Sequence, residues 1–380
     1  MKRFSRALVF VLCLPLMLPG GIAEESARKV LKSGDFKYVI LEDGTAEIDQ
    51  YVGKKKDVSV PGFLKGIVVT RIGNAAFSDT GITSVSIPDG VTVIGEGAFL
   101  SCRKLARVSL PDSVTVIGAF AFSYCESLDG ITIPGSVTAL GDRAFYECKS
   151  LAGISIPDSA MIVGLNPFSG CTQLSSIVVS PDHPVLEAID GVLFDKAGET
   201  LICYPAGKPD TDYAVPPGTL QIADWAFSAC ASLTHVSIPH GFTALGEGAF
   251  AYSERLESVS LPDSVTSIGQ RAFYGCKSLT GLRLPDSVTV LGDRAFYDCE
   301  SLTALSIPDG VTTIGDRTFA YCFGLTSVIL PDSVTVLGEA AFESCSRLTV
   351  TVGPGSCAEQ YCIENGIPYA YPDFLDWLNN

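Results

Sequence analysis

Apolar positions in this chain follow neither a single helical nor a single strand period; they return every 23 residues. Phe77, Phe99, Phe122, Phe145 and Phe168 keep this beat with one 22-residue step, and Phe227, Phe250, Phe273, Phe296, Phe319 and Phe342 resume it. Pro88, Pro111, Pro134 and Pro157, then Pro216 and every 23rd residue to Pro354, mark the same period. A fixed period of this size is the signature of a solenoid. Each unit is one turn of a coil and buries its apolar face only against its neighbours.

Residues 94–116 show what one unit predicts. Leu105-x-x-Val108-x-Leu110 has the spacing of a leucine-rich repeat strand, with Val108 and Leu110 alternating inward. Pro111-Asp112 turns the chain. Val114, Val116 and Ile117 form a second short extended run, and Gly118 permits a tight bend. Ala121, Phe122 and Cys125 then fall on one face of a short helix. Stacked about 4.8 Å apart, eleven such coils would make a rod about 50 Å long.

Written as Ile-Gly-x-x-Ala-Phe-x-x-Cys-x-x-Leu-x-x-Val-x-Ile-Pro-Asp-x-Val, the unit resembles the BspA-type leucine-rich repeat family of bacterial surface and secreted proteins. The resemblance runs from about Gly34 to Tyr371. It implies an α/β solenoid of about eleven 23-residue coils, with short parallel strands, short helical turns, one β-hairpin insert and a cap at each end. The expected divisions are a signal peptide at 1–23, an N-terminal cap at 24–71 and repeats at 72–179. A hairpin insert at 180–217, repeats at 218–352 and a C-terminal cap and tail at 353–380 follow.

The cap reads as two strands around Glu42-Asp43-Gly44. In the insert, Val192-Leu193-Phe194 and Thr200 to Tyr204 are β-prone around an Asp195–Glu199 turn, and Pro205 to Asp212 reads as a polar loop. The insert is either an elongated repeat bridging two halves or a ligand loop; its own apolar strands favour the bridge. Near the C-terminus, Ser356 and Glu359 form a capping box and Asn365-Gly366 ends the helix.

Composition narrows the function. The formal charge is −16, with 26 Lys and Arg against 42 Asp and Glu, so no basic surface awaits a nucleic-acid backbone. Lys2, Arg3 and Arg6, the apolar run Ala7 to Leu18, and small Gly21 and Ala23 form a secretory signal pattern. An exported chain, secreted or at the cell surface, is therefore expected, with no membrane span after signal cleavage. Of thirteen cysteines, nine occupy one repeat position, from Cys102 to Cys345, and Ser253 breaks the series. They read as small buried apolar residues that stay reduced; a ladder of cross-links between neighbouring coils is the alternative. Asp89, Asp112, Asp158, Asp263, Asp286, Asp309 and Asp332 follow the repeat prolines and would form a solvated row. That row lacks the oxygens per ion that calcium needs. The three histidines have no nucleophile at a known spacing, and no Gly-x-Ser-x-Gly, His-Glu-x-x-His or P-loop occurs. No catalytic residue, cofactor or metal site is expected.

Outward strand positions would form the shared binding surface of a solenoid. The candidates are Arg107, Ser109, Thr132, His235, Ser237, Ser258, Arg283 and Ser306, with Arg107, His235 and Arg283 the distinctive members. The resemblance implies a non-catalytic protein-interaction scaffold, an adhesin toward a host or cell-surface protein. A structural surface component without a dedicated ligand, and an enzyme or inhibitor acting through the insert, are the alternatives.

Overall fold

A computed structural model describes residues 29–372. The signal pattern at 1–23 and the tail from Asp373 to Asn380 lie outside the described residues. The chain winds into a parallel-strand solenoid of about 14 turns. Eleven are the phenylalanine units. The other three carry Tyr51, Tyr204 and Tyr361, whose rings pack on Phe77, Phe227 and Phe342. A tyrosine at the phenylalanine site thus marks the first turn, the insert and the last turn.

Each coil contributes to two parallel ladders. One passes through Val93–Ile94, Val116–Ile117, Ala139–Leu140 and Ile162–Val163, then resumes from Gln221–Ile222 to Val336–Leu337. The other carries the outward candidates, on strands such as Arg107–Ser109 and His235–Ser237. The two-residue strands follow from the pattern: one inward Ile or Leu per strand reaches the core before glycine turns the chain away. Gly118 shows why glycine is needed, since a Cβ there would meet the backbone of Gly95 and Glu96 at 2.9 Å.

The third side of the coil departs from the expected short helix. Phe120 and Tyr124 hold left-handed φ angles of 54° and 58°. The N–H groups of Ala121 and Ser123 bond back to Gly118 O and Phe120 O, whereas those of Phe120, Phe122 and Tyr124 reach Asp142 O, Ala144 O and Tyr146 O of the next coil. A right-handed helix would point every N–H along its own axis. A left-handed residue every fourth position lets every second N–H reach the neighbouring coil, which offsets the ~1–2 kcal/mol cost of each such residue. The expected burial holds, since Ala121, Phe122 and Cys125 are all fully buried.

Inside, the phenylalanines form a column. Phe99, Phe122 and Phe145 stack at 5.1 and 5.4 Å, and Phe273, Phe296, Phe319 and Phe342 at 5.3 to 5.4 Å. The repeat cysteines close the core behind them. Cys102, Cys148, Cys276 and Cys322 each donate S–H to the carbonyl of a phenylalanine in the coil before, at 3.0 to 3.1 Å. Ser253 donates to Phe227 O at 2.7 Å in the same way.

The ends differ from one another. At the N-terminus, Leu31–Ser33, Phe36–Ile40 and Ala46–Tyr51 form an antiparallel meander whose last strand joins Ile67–Ile72 in parallel. At the C-terminus the helix Cys357–Asn365 closes the last coil. Ser356 Oγ accepts from Glu359 N at 3.1 Å, and Glu359 Oε2 accepts from Gly355 N at 2.6 Å, one residue earlier than an ideal capping box. Gly366 ends the helix with a φ of 64°.

Candidate functional site

The outward strand face is not one sheet. It divides into four patches, of three, two, three and four strands. Two of the three interruptions fall at Gly130–Ile133 and Gly281–Leu284, where no strand forms, and the third is the insert, between Ser176–Val179 and Asp212–Ala214. Both of these breaks carry glycine, a weak strand former, at the outward position four residues before the repeat proline. Arg107, Ser109, His235, Ser237, Ser258 and Ser306 therefore lie on strands, whereas Thr132 and Arg283 lie at the two breaks. All eight are exposed except the half-buried Ser258. They are spread along the rod and form no single cluster.

Two shallow depressions mark this face. One is lined by Asp57, Ser84, Ser86, Arg107 and Ser109. Asp57 accepts from Ser84 Oγ at 2.6 Å and Thr83 Oγ1 at 3.2 Å. These bonds, with Arg107 and Lys56 adding a smaller pull, hold its carboxyl below the usual range. The other spans the second break and is lined by Gly281, Arg283, Ala304, Ser306, Ser327 and Ile329. Each depression thus holds one arginine beside small polar residues. Between them, His235 Nδ1 lies 3.4 Å from Asp212 Oδ1 and 2.8 Å from Thr234 Oγ1, and Nε2 lies 3.9 Å from Glu257 Oε2. Asp212, at the end of the segment expected to be a polar loop, sits instead on the strand Asp212–Ala214, paired in parallel with His235–Ser237.

The insert differs from the expected hairpin and loop in two further respects. Its hairpin has a third strand, Leu186–Ile189, antiparallel to Val192–Asp195. The 205–212 segment is not a solvated loop: Pro205, Ala206 and Lys208 are buried. Gly207 N donates to Leu174 O at 2.8 Å, and Lys208 Nζ reaches Asp190 and Asp210 at 2.8 and 2.7 Å. Desolvation pulls the Lys208 pKa down, but the two carboxylates outweigh it and the net shift is upward. Val192 and Phe194 pack into the core of the second block, and Leu193 into that of the first. This is the geometry of a bridge between the halves.

His183 is fully buried in the insert, and its Nδ1 accepts from Val185 N and Leu186 N at 3.3 and 3.1 Å. Its lone position between two prolines gave no signal of this. The tyrosines along the turn edge pack on one another, with Tyr274 and Tyr297 stacked at 4.7 Å and Tyr252 against Tyr274 at 5.1 Å. Each of these rings packs on a ring of a neighbouring coil, although Tyr252 stays 49% exposed. The aspartates after the repeat prolines are exposed, and among the described residues no group of three or more metal-ligating side chains converges. A different acidic position bonds between coils: Asp142, Asp224, Asp293 and Asp316 each accept a backbone N–H from the following coil at 2.7 to 2.9 Å.

A family profile described as the BspA type leucine rich repeat region, in six copies, matches residues 70–195 and 220–349. No curated protein matches the chain. Among solved structures, a leucine rich cell surface protein from Faecalibacterium prausnitzii is 28% identical, with a TM-score of 0.57, covering 83% of this chain and 98% of that one. The pneumococcal vaccine antigen PcpA is 21% identical over 91% of this chain and 99% of its own, with a TM-score of 0.67, a likeness of fold. A leucine-rich repeat protein from Eubacterium ventriosum is similar in fold at 24% identity and a TM-score of 0.59, over 85% and 95% of the two chains.

Proposed function

This chain belongs to the BspA-type leucine-rich repeat family, and from that premise we propose that it is an exported, non-catalytic scaffold that binds a protein ligand at the cell surface, as an adhesin. The observation that carries this reading is the outward strand face, whose side chains are exposed along the rod while those of the core are buried. Arg107 and Arg283 stand in its two depressions, and His235 is held between Asp212 and Glu257. Arginine is enriched among the side chains that anchor protein interfaces. The likeness to a bacterial cell surface protein supports the same location.

Saturable binding to one member of a panel of matrix proteins, host cells and glycans tests the reading. Arg107→Ala, His235→Ala and Arg283→Ala should each weaken that binding about fivefold to tenfold, with unchanged melting. Binding to the producing cell's envelope alone, unaffected by these substitutions, would favour a structural surface component.

A further inference from the structure

Charge is divided unevenly along the rod. Residues 29–71 carry eight Lys and Arg against six Asp and Glu, a net of +2, whereas residues 72–372 carry 14 against 32, a net of −18. Lys29, Lys32, Lys54, Lys55, Lys56 and Lys65 are exposed, and none has an ion-pair partner among the described residues. The same cap exposes apolar surface. Phe63, at 65%, is the most exposed large apolar side chain of the described residues, and Val68 is 39% exposed. The two are cross-strand partners in an antiparallel hairpin, Phe63–Leu64 with Ile67–Ile72, whose turn is Lys65-Gly66. Leu64, the inward neighbour of Phe63, is buried, so the hairpin is anchored while Phe63 projects.

We propose that this cap docks to an anionic phospholipid bilayer through the Phe63–Val68 hairpin, with Phe63 and Val68 at the headgroup boundary and the lysines against the lipid charge. Lysines near an anionic surface are attracted to it, and a basic cluster joined to a small apolar insertion supplies two signals for attachment. An aromatic ring suits the interfacial layer. Charge opposes a flat approach, which would press the acidic coils against the lipid's like charge within a screening length of about 8 Å. A purely ionic partner, such as a soluble phosphate polymer, would leave the Phe63–Val68 pair unused. The inference concerns retention and stands independently of the ligand-binding face.

The test places a reporter at the hairpin. Phe63→Trp in the full chain is mixed with phosphatidylcholine vesicles, with and without phosphatidylglycerol, carrying a bromine-labelled lipid. The emission of the introduced indole, read as a difference from the parent chain, should shift blue and be quenched only on the anionic vesicles. Combined Lys54→Glu, Lys55→Glu and Lys56→Glu should lower that vesicle affinity at least tenfold, and high salt should do the same. An unchanged emission, or equal quenching on neutral vesicles, would overturn the proposal. So would lysine-dependent binding to soluble polyphosphate without an emission change on vesicles, which would assign a polymer in place of a bilayer.

Discussion

In the regular coils a buried polar group finds its partner one coil away, at a fixed offset. Cys299 Sγ donates to Phe273 O, 26 residues earlier, and Ser287 Oγ to Val265 O, 22 residues earlier. In the insert the partners are particular and do not repeat. Lys208 is held by Asp190 and Asp210, Tyr204 donates to Asp210, and His183 is fixed by its own neighbours. The two blocks meet across this segment through Asn166 Nδ2 to Trp225 O at 2.7 Å, and through the Ser169 and Ser228 hydroxyls. The regular coils satisfy their polar groups by translation, so one solution serves every unit. The insert interrupts the translation and needs a solution of its own, including a buried cation.

The largest test of this contrast removes a ring from the column. Phe273→Ala should cost about 3–5 kcal/mol in urea denaturation, because rings on both sides lose a stacking partner and a cavity remains. Tyr204→Ala should cost less, since Tyr204 stacks on Phe227 but edge-on with Tyr213. Equal losses would mean that the insert is as regular energetically as the coils.

Next is the buried cation. Lys208→Ala should cost about 1–3 kcal/mol, less than a fully buried pair because Asp190 is 81% exposed. The Lys208 pKa is raised in the folded chain, so its contribution is complete below the unfolded lysine pKa and is lost as pH rises through the folded value. The destabilisation by Lys208→Ala should therefore shrink in strongly alkaline buffer; a cost that did not change there would separate Lys208 from its carboxylates.

A smaller effect distinguishes packing from hydrogen bonding in the cysteine column. Cys299→Ala should cost about 1–2 kcal/mol and Cys299→Ser less than half as much, because the hydroxyl keeps the donor, as Ser253 does for Phe227. Equal costs would reduce the cysteines to spacers.

The smallest effect is one of reactivity. Burial pushes the Cys102 and Cys345 thiols up to about 11 and the Cys299 thiol well above its usual range, whereas Cys357 is exposed. A thiol reagent on the native chain should modify Cys357 quickly and the column only after denaturation. Near-zero free thiol in the denatured chain would establish a cross-linked ladder instead.

The sequence alone determined the coil. A 23-residue return of Phe, Pro and Cys can be satisfied only by stacking like on like, so the parallel ladders were legible from spacing, and the final helix from its Ser356–Glu359 cap and Asn365-Gly366 end. Tertiary structure decided what depends on the adjoining coil. The third side is a chain of turns and not a helix, because Phe120 and Tyr124 trade local backbone preference for bonds to the next coil. The outward face breaks at Gly130 and Gly281, although Gly153 occupies the same position and stays in its strand. Burial of Lys208 and His183 rests on partners that a polar-looking segment does not announce. Periodicity records what each unit shares with its neighbours; the seam, the breaks and the exposed hairpin of the cap are where neighbours differ, and only the folded contacts settle those.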